Sequence, residues 1–152
     1  MKNTKEITND NNELLEYIYQ TTDMGKKGLV HLLEALKEKD NKIKKDIEKS
    51  LEEYEEFQEE CQDLLEKHNI EPKDKGLMTE MMNKMGVNIN VMMDNSDSKV
   101  AEIIIQGLTM GVVEMEKKIK DYQDEVDKKI SKLAKNILKF QEKEIEKYKE
   151  YL

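Results

Sequence analysis

Apolar positions recur along the chain at steps of three and four residues, in four stretches separated by polar breaks. That period is the signature of amphipathic helices. Asp10 followed by Glu13 has the form of a capping box and predicts a first helix from there to about Lys39. Its seam is Leu14, Ile18, Gly25, Leu29, Leu32 and Leu36. Asp40 is placed to cap a second helix from about Asn41 to His68, with Ile43, Ile47, Leu51, Tyr54, Cys61 and Leu65 inward. Asn69 and Pro72 then mark its stop. A third helix is predicted from near Ser96–Ser98 to about Tyr122. A fourth, capped by Asp124, runs to the end through Val126, Ile130, Leu133, Ile137, Phe140, Tyr148 and Tyr151. Residues 1–9 read as a disordered tail, and residues 10–152 as a single domain.

The sequence also repeats itself. Ile18-Tyr19-Gln20-Thr21-Thr22-Asp23-Met24-Gly25 returns 86 residues later as Ile104-Ile105-Gln106-Gly107-Leu108-Thr109-Met110-Gly111, with four of the eight positions identical. The same offset carries Ile47 onto Leu133, Leu51 onto Ile137 and Tyr54 onto Phe140. Two helical hairpins related by a pseudo-two-fold axis account for such an echo. On that picture the break at Lys120-Asp121-Tyr122-Gln123-Asp124-Glu125 is the counterpart of the turn near Asp40, although it holds neither Gly nor Pro. Gly25 and Gly28 sit midway along the first helix, and Gly107 and Gly111 midway along the third. Each costs about 1 kcal/mol of helix propensity relative to Ala. A close crossing of the first and third helices at these glycines would offset that cost.

Between the second and third helices lie about 27 residues, far more than a hairpin needs. They carry Met78, Met81, Met82, Met85, Met92 and Met93, at a spacing that predicts a short amphipathic helix inside a long crossover. A connection of that length lets the second and third helices run parallel. The third helix itself reads as apolar nearly all round, through Ile103, Ile104, Ile105, Leu108, Met110, Val112, Val113 and Met115. Such a helix is covered on two sides, by the crossover or by a second copy of the chain, so a homodimer is expected.

Composition removes several function classes. Every one of the 26 basic residues is Lys, and the net charge is -8. Without Arg, the preferred residue for bidentate contact with phosphate or guanine, nucleic-acid binding is not expected. One cysteine, Cys61, excludes an internal disulfide and suits a reducing compartment. No apolar stretch is long enough to span a membrane, and residues 1–6 lack the apolar core of a signal peptide, so a cytoplasmic location is expected. No Gly-rich phosphate loop follows a strand. The methionines follow helical spacing and read as packing, not as a Cu(I) site.

Two hairpins about a pseudo-two-fold, joined by a long crossover with a short helix, resemble the ferritin-like superfamily, over about Asp10 to Leu152. Through Asp23-Met24-Gly25 and Ile105-Gln106-Gly107-Leu108-Thr109-Met110-Gly111 the chain also looks like small uncharacterised ferritin-like proteins of low-GC bacteria. The resemblance implies an all-α four-helix bundle. Catalytic members hold two irons with a Glu from each of two helices and Glu-x-x-His from each of the other two. Here the positions that would carry Glu-x-x-His read Glu55-Glu56-Phe57-Gln58 and Gln141-Glu142-Lys143-Glu144, and the motif occurs nowhere. The only histidines are His31, on the flank of the first helix, and His68, at a helix end. Glu55, Gln58, Gln141 and Glu144 are therefore weak candidates for a divalent-metal site. The stronger expectation is a relic polar layer, with Glu144 at the centre of its seam satisfied by Gln58, Gln141, Thr22 or water. A non-enzymatic binding or interaction protein without a cofactor is expected, with a carboxylate-based metal or redox protein as the alternative.

Overall fold

The computed structural model describes residues 4–72, 94–122 and 126–152. Four helices are present among them and no strand: α1 (Thr4–Ala35), α2 (Lys44–Lys67), α3 (Asp97–Asp121) and α4 (Lys128–Lys149). α1 packs mainly on α2 and α3 mainly on α4, while contacts of α4 with α2 and α1 join the two hairpins. Hydrogen bonds fix the directions. The Asn41 amide, where α1 closes into α2, donates to Asn95 O at 2.8 Å and Asp97 Oδ1 at 2.9 Å at the start of α3. Tyr151, just past α4, donates to Asp46 early in α2. At the opposite end the Asp127 amide before α4 donates to Asn11 Oδ1 at 2.8 Å, and Tyr122 donates to Glu13. α2 and α3 therefore run the same way, and α1 runs with α4.

Several helix ends differ from those the sequence suggests. α1 begins at Thr4, so the helix continues through residues expected in a disordered tail. Asp10 is buried within it, and Asn11 is engaged by the α3–α4 turn. Asp40 does not cap α2: the chain turns through residues 36–43, and Ile43 is the N-cap without a side-chain bond. The Asp expected to cap α4, Asp124, lies outside the described residues; Asp127 takes that role, accepting from Lys129 N at 2.8 Å. Other ends agree. Ser96 caps α3. α2 closes with Asn69 in the left-handed region, φ 56°, while Ile70 N reaches Leu65 O and Asn69 N reaches Glu66 O. That is a Schellman closure, in which Asn substitutes for the usual Gly. α3 and α4 are separate helices.

The seams meet in two apolar clusters. One holds Leu29, Leu36, Ile43, Ile47, Val100 and Tyr148 toward the α1–α2 turn. The other holds Leu14, Ile18, Leu65, Met115, Ile130 and Leu133 toward the α3–α4 turn. Tyr54 and Phe140, equated by the 86-residue offset, meet edge to face with centroids 5.1 Å apart at 87°. α3 is less apolar on its outer side than its composition suggests. Glu102, Gln106, Thr109 and Glu116 are exposed there, and Val113 is the large apolar residue half in solvent. The Met-rich crossover lies outside the described residues. No helix among the described residues is long and apolar enough to cross a membrane.

Candidate functional site: a glycine-walled cavity beside a closed polar network

Between the two apolar clusters the seams change chemistry. α2 places Ser50, Tyr54 and Gln58 at steps of four on its inner face, and α4 places Gln141, Glu144 and Tyr148 at steps of three and four. These residues continue the apolar seams, so helical periodicity brings polar groups to the middle of the bundle. Opposite them, α1 and α3 offer glycines where side chains would otherwise fill the space.

The glycines are not equivalent. A Cβ added at Gly25 would stand 2.7 Å from two carbons of the Tyr54 ring, so the ring of α2 fills the space that Gly25 leaves. A Cβ at Gly111 would stand 2.9 Å from Gln141 Nε2, so the amide of α4 fills that space. The close approach at both positions is thus between helices of one hairpin, and α1 and α3 touch each other only lightly. At Gly28 an added Cβ would meet nothing within 4 Å. Gly28 and Gly107 instead border a cavity of about 80 Å³. Its wall is mostly apolar, from Met24, Leu29, Ile104 and Leu108, with Gln141, Glu144 and Tyr148 among its polar members.

Glu144 is buried, and its Oε2 is engaged twice. Its Oε2 accepts from Lys147 Nζ at 3.0 Å and from Ser50 Oγ. Ser50 Oγ lies 2.6 Å from the Tyr148 hydroxyl, 3.0 Å from Asp46 O, and accepts from Lys147 Nζ at 3.2 Å. Lys147 also stands over the Tyr148 ring. Burial pushes the Tyr148 phenol far above its ordinary range, which the nearby Glu144 charge reinforces against the bond from Ser50. Tyr54 is raised likewise by burial, partly offset by its hydrogen bond with Gln141. Gln141 is 2% exposed, and its Oε1 has no hydrogen-bond partner among the described residues.

The four candidate residues do not form one cluster. Gln141 and Glu144 line the same cavity. Gln58 is buried but turned to α1, accepting from Lys26 Nζ at 3.3 Å and donating to Asp23 at 3.3 Å. Glu55 points to solvent. Thr22 donates to Ile18 O on its own helix, so it does not serve Glu144. His31 is exposed and His68 forms the C-cap of α2. Cys61 is wholly buried, its thiol pushed up to about 12 by burial and directed at Leu15 O. The residues that sequence reasoning passed over are Ser50 and Lys147. Ser50 was visible as a small polar residue at a seam position, three after Ile47 and four before Tyr54. Lys147 carried no signal beyond its i,i+3 spacing from Glu144.

No match to this chain is found among protein families, curated proteins or solved structures. Among the described residues no three His, Cys, Asp or Glu side chains converge. The carboxylate nearest the bundle centre is bonded to an ammonium and a hydroxyl. The base beside Ser50 is the Glu144 carboxylate, which is already paired to Lys147. These groups do not fit a di-iron centre, which needs several unpaired carboxylates and imidazoles. What the site offers is a mostly apolar wall, with a buried amide oxygen beside it that has no partner among the described residues.

Proposed function

We propose that this chain is a non-enzymatic binding protein of ferritin-like build, in which the polar layer between the hairpins is a relic of a metal site. The observation that carries this reading is the engagement of both key positions. Where the resemblance calls for imidazole, Gln58 is bonded to Lys26 and Asp23, and Glu144 to Lys147 and Ser50. The parallel run of α2 with α3 and the contact of Tyr54 with Phe140 support the ferritin-like build. The test is metal analysis of protein purified without chelator. No stoichiometric iron or manganese is expected. Either metal at one or more per chain, lost in Glu144→Gln, would overturn the reading in favour of a carboxylate-based metal or redox protein. Homodimerisation belongs to the same proposal and is supported by half-exposed Val113 on α3 and Val30 on α1. Sedimentation showing only a monomer of 17.9 kDa at tens of micromolar would exclude it.

A further inference from the structure

We propose that the outer faces of α2 and α4 form a docking surface for a second copy of this chain, seated by opposite charge. The inference rests on the homodimer reading above and names the surface and the force that the reading leaves open.

The charges on these two helices are sorted by sign. From Ser50 to Glu66, α2 carries eight carboxylates and no lysine. From Lys128 to Gln141, α4 carries five lysines and no carboxylate. All of these side chains are exposed, and none has an ion-pair partner among the described residues. Elsewhere in the bundle exposed charges alternate and pair along their own helix: Lys27 with Asp23 on α1, Lys99 with Glu102 and Lys117 with Glu114 on α3. In the sorted stretches the i,i+4 neighbours are like charges instead, as in Glu52 with Glu56, Glu55 with Glu59, Lys128 with Lys132 and Lys135 with Lys139. Each such pair destabilises its helix. A partner of opposite sign turns that repulsion into attraction.

The second observation is register. α2 and α4 are antiparallel neighbours, with Ser50 meeting Glu144 and Tyr54 meeting Phe140. Continued along both helices, that register sets Glu55 level with Lys139, Glu59 with Lys135 and Glu66 with Lys128. At the seam between the outer faces Glu53 feels the charges of Lys143 and Lys147. Two strips of opposite sign thus lie side by side over about 20 Å. A half-turn about an axis parallel to the helices lays α4 of a second copy over α2 of the first, and α2 over α4, at unchanged height. The acidic strip of each copy then faces the basic strip of the other, and the two contacts are identical, as a closed two-fold pair requires.

The same adjacency selects against other occupants. Packed helices lie about 8–10 Å apart, which is about one Debye length in physiological salt. An anionic membrane or polyanion drawn to the lysines also meets the carboxylates of α2. The fitting surface carries both signs in matching order, and this chain has one.

The test is sedimentation of the full chain in about 50 mM and about 500 mM NaCl, with two charge-reversed variants. One combines Lys135→Glu with Lys139→Glu, the other Glu55→Lys with Glu59→Lys. All four side chains are exposed, so the fold is retained, which circular dichroism checks. The native protein is expected to dimerise about tenfold more tightly at the lower salt. Each variant alone sets like charge against like in the middle of both contacts and should associate at least about tenfold more weakly. An equimolar mixture of the two variants restores opposite charges at both contacts and should recover the native affinity. Dimerisation unchanged in either variant would place the contact elsewhere, at Val30 and Val113 for instance, and overturn this surface while homodimerisation stands. Variants that weaken association without recovery on mixing would overturn the two-fold arrangement. A native protein monomeric at the lower salt would overturn this inference and the homodimer reading together, and its sedimentation with phosphatidylserine vesicles would then assign the lysines to a lipid surface. The metal analysis stands apart from each of these outcomes.

Discussion

Alanine at Gly25 and at Gly28 should change stability in opposite directions, although the two sites are three residues apart on one helix. Both substitutions gain the same helix propensity, about 1 kcal/mol. At Gly28 nothing opposes the gain, because the added Cβ meets open space. At Gly25 the Cβ arrives 2.7 Å from Cε1 and Cζ and 3.1 Å from Cε2 of Tyr54. Carbon atoms prefer about 3.5–4.0 Å, so the ring has to retreat by roughly 1 Å. It has little freedom to do so: it is buried and stands edge-on to Phe140 at 5.1 Å. Overpacking of that kind costs about 1–3 kcal/mol, which leaves a net loss of about 1 kcal/mol after the propensity gain. For a chain of 152 residues the melting temperature should rise about 2–4 °C in Gly28→Ala and fall by a similar amount in Gly25→Ala. Urea unfolding of both variants, with Gly25→Ala repeated on Tyr54→Leu, checks the cause. With the ring removed the penalty at Gly25 should vanish, a coupling of about 2 kcal/mol. Gly25→Ala as stabilising as Gly28→Ala, or a penalty unchanged on Tyr54→Leu, would refute the packing argument.

Two further outcomes follow from the polar network. Because burial raises the Tyr148 phenol above its unfolded value of about 10, its contribution to stability is complete below pH 10 and is lost as pH rises beyond it. The urea midpoint should therefore fall more steeply above pH 10 in the native protein than in Tyr148→Phe, and equal slopes would contradict the assignment. Glu144→Leu should cost about 1–2 kcal/mol, less than a deeply buried pair, because Lys147 is 30% exposed and can turn to water. Adding Lys147→Met should recover most of that loss, and a double variant less stable than the single one would show that the ammonium serves more than Glu144.

How much of this was legible in the sequence depends on what each signal encodes. The seams were legible because burial repeats with the helix, so Leu14, Ile18, Ile47, Leu65, Ile130 and Leu133 all lie in the core as their spacing implies. The turn between α3 and α4 was legible only through the echo, since the local residues include no Gly or Pro. Caps were less legible. Asp10, Asp40 and Asp124 satisfy the compositional rule, yet a cap also needs an extended residue before the first turn, and tertiary bonds decide where that falls. Asn11 and Asn41 illustrate this, each committed to an element more than 50 residues away. For the site, periodicity placed Gln58 and Glu144 inward but could not assign their partners. Whether Glu144 faced Gln58 or Ser50 depends on how the hairpins are rotated about their axes, which no single-helix pattern records. The apolar count on α3 misled for a related reason: Val113 adds to the total while Glu102, Gln106 and Thr109 define the exposed side.

The polar layer divides into one part whose members bond one another and one that is left partly unmatched. Ser50, Glu144, Lys147 and Tyr148 satisfy one another across α2 and α4. A network of this kind fixes the register of two helices. Gln141 lies one turn away on the same face of α4 and differs in that one of its two polar ends is unmatched. Gly28 and Gly107 stand across from it, residues that forgo both helix propensity and packing volume. A bundle selected for stability alone would place alanine at Gly28, where an added Cβ meets nothing within 4 Å, and an apolar residue in place of Gln141. Local choices that work against the fold, gathered around one cavity, are the pattern expected where a protein gives up stability for binding. The bonded network joins α2 to α4, and the unmatched amide and the glycines beside it are where the bundle departs from what stability alone would select.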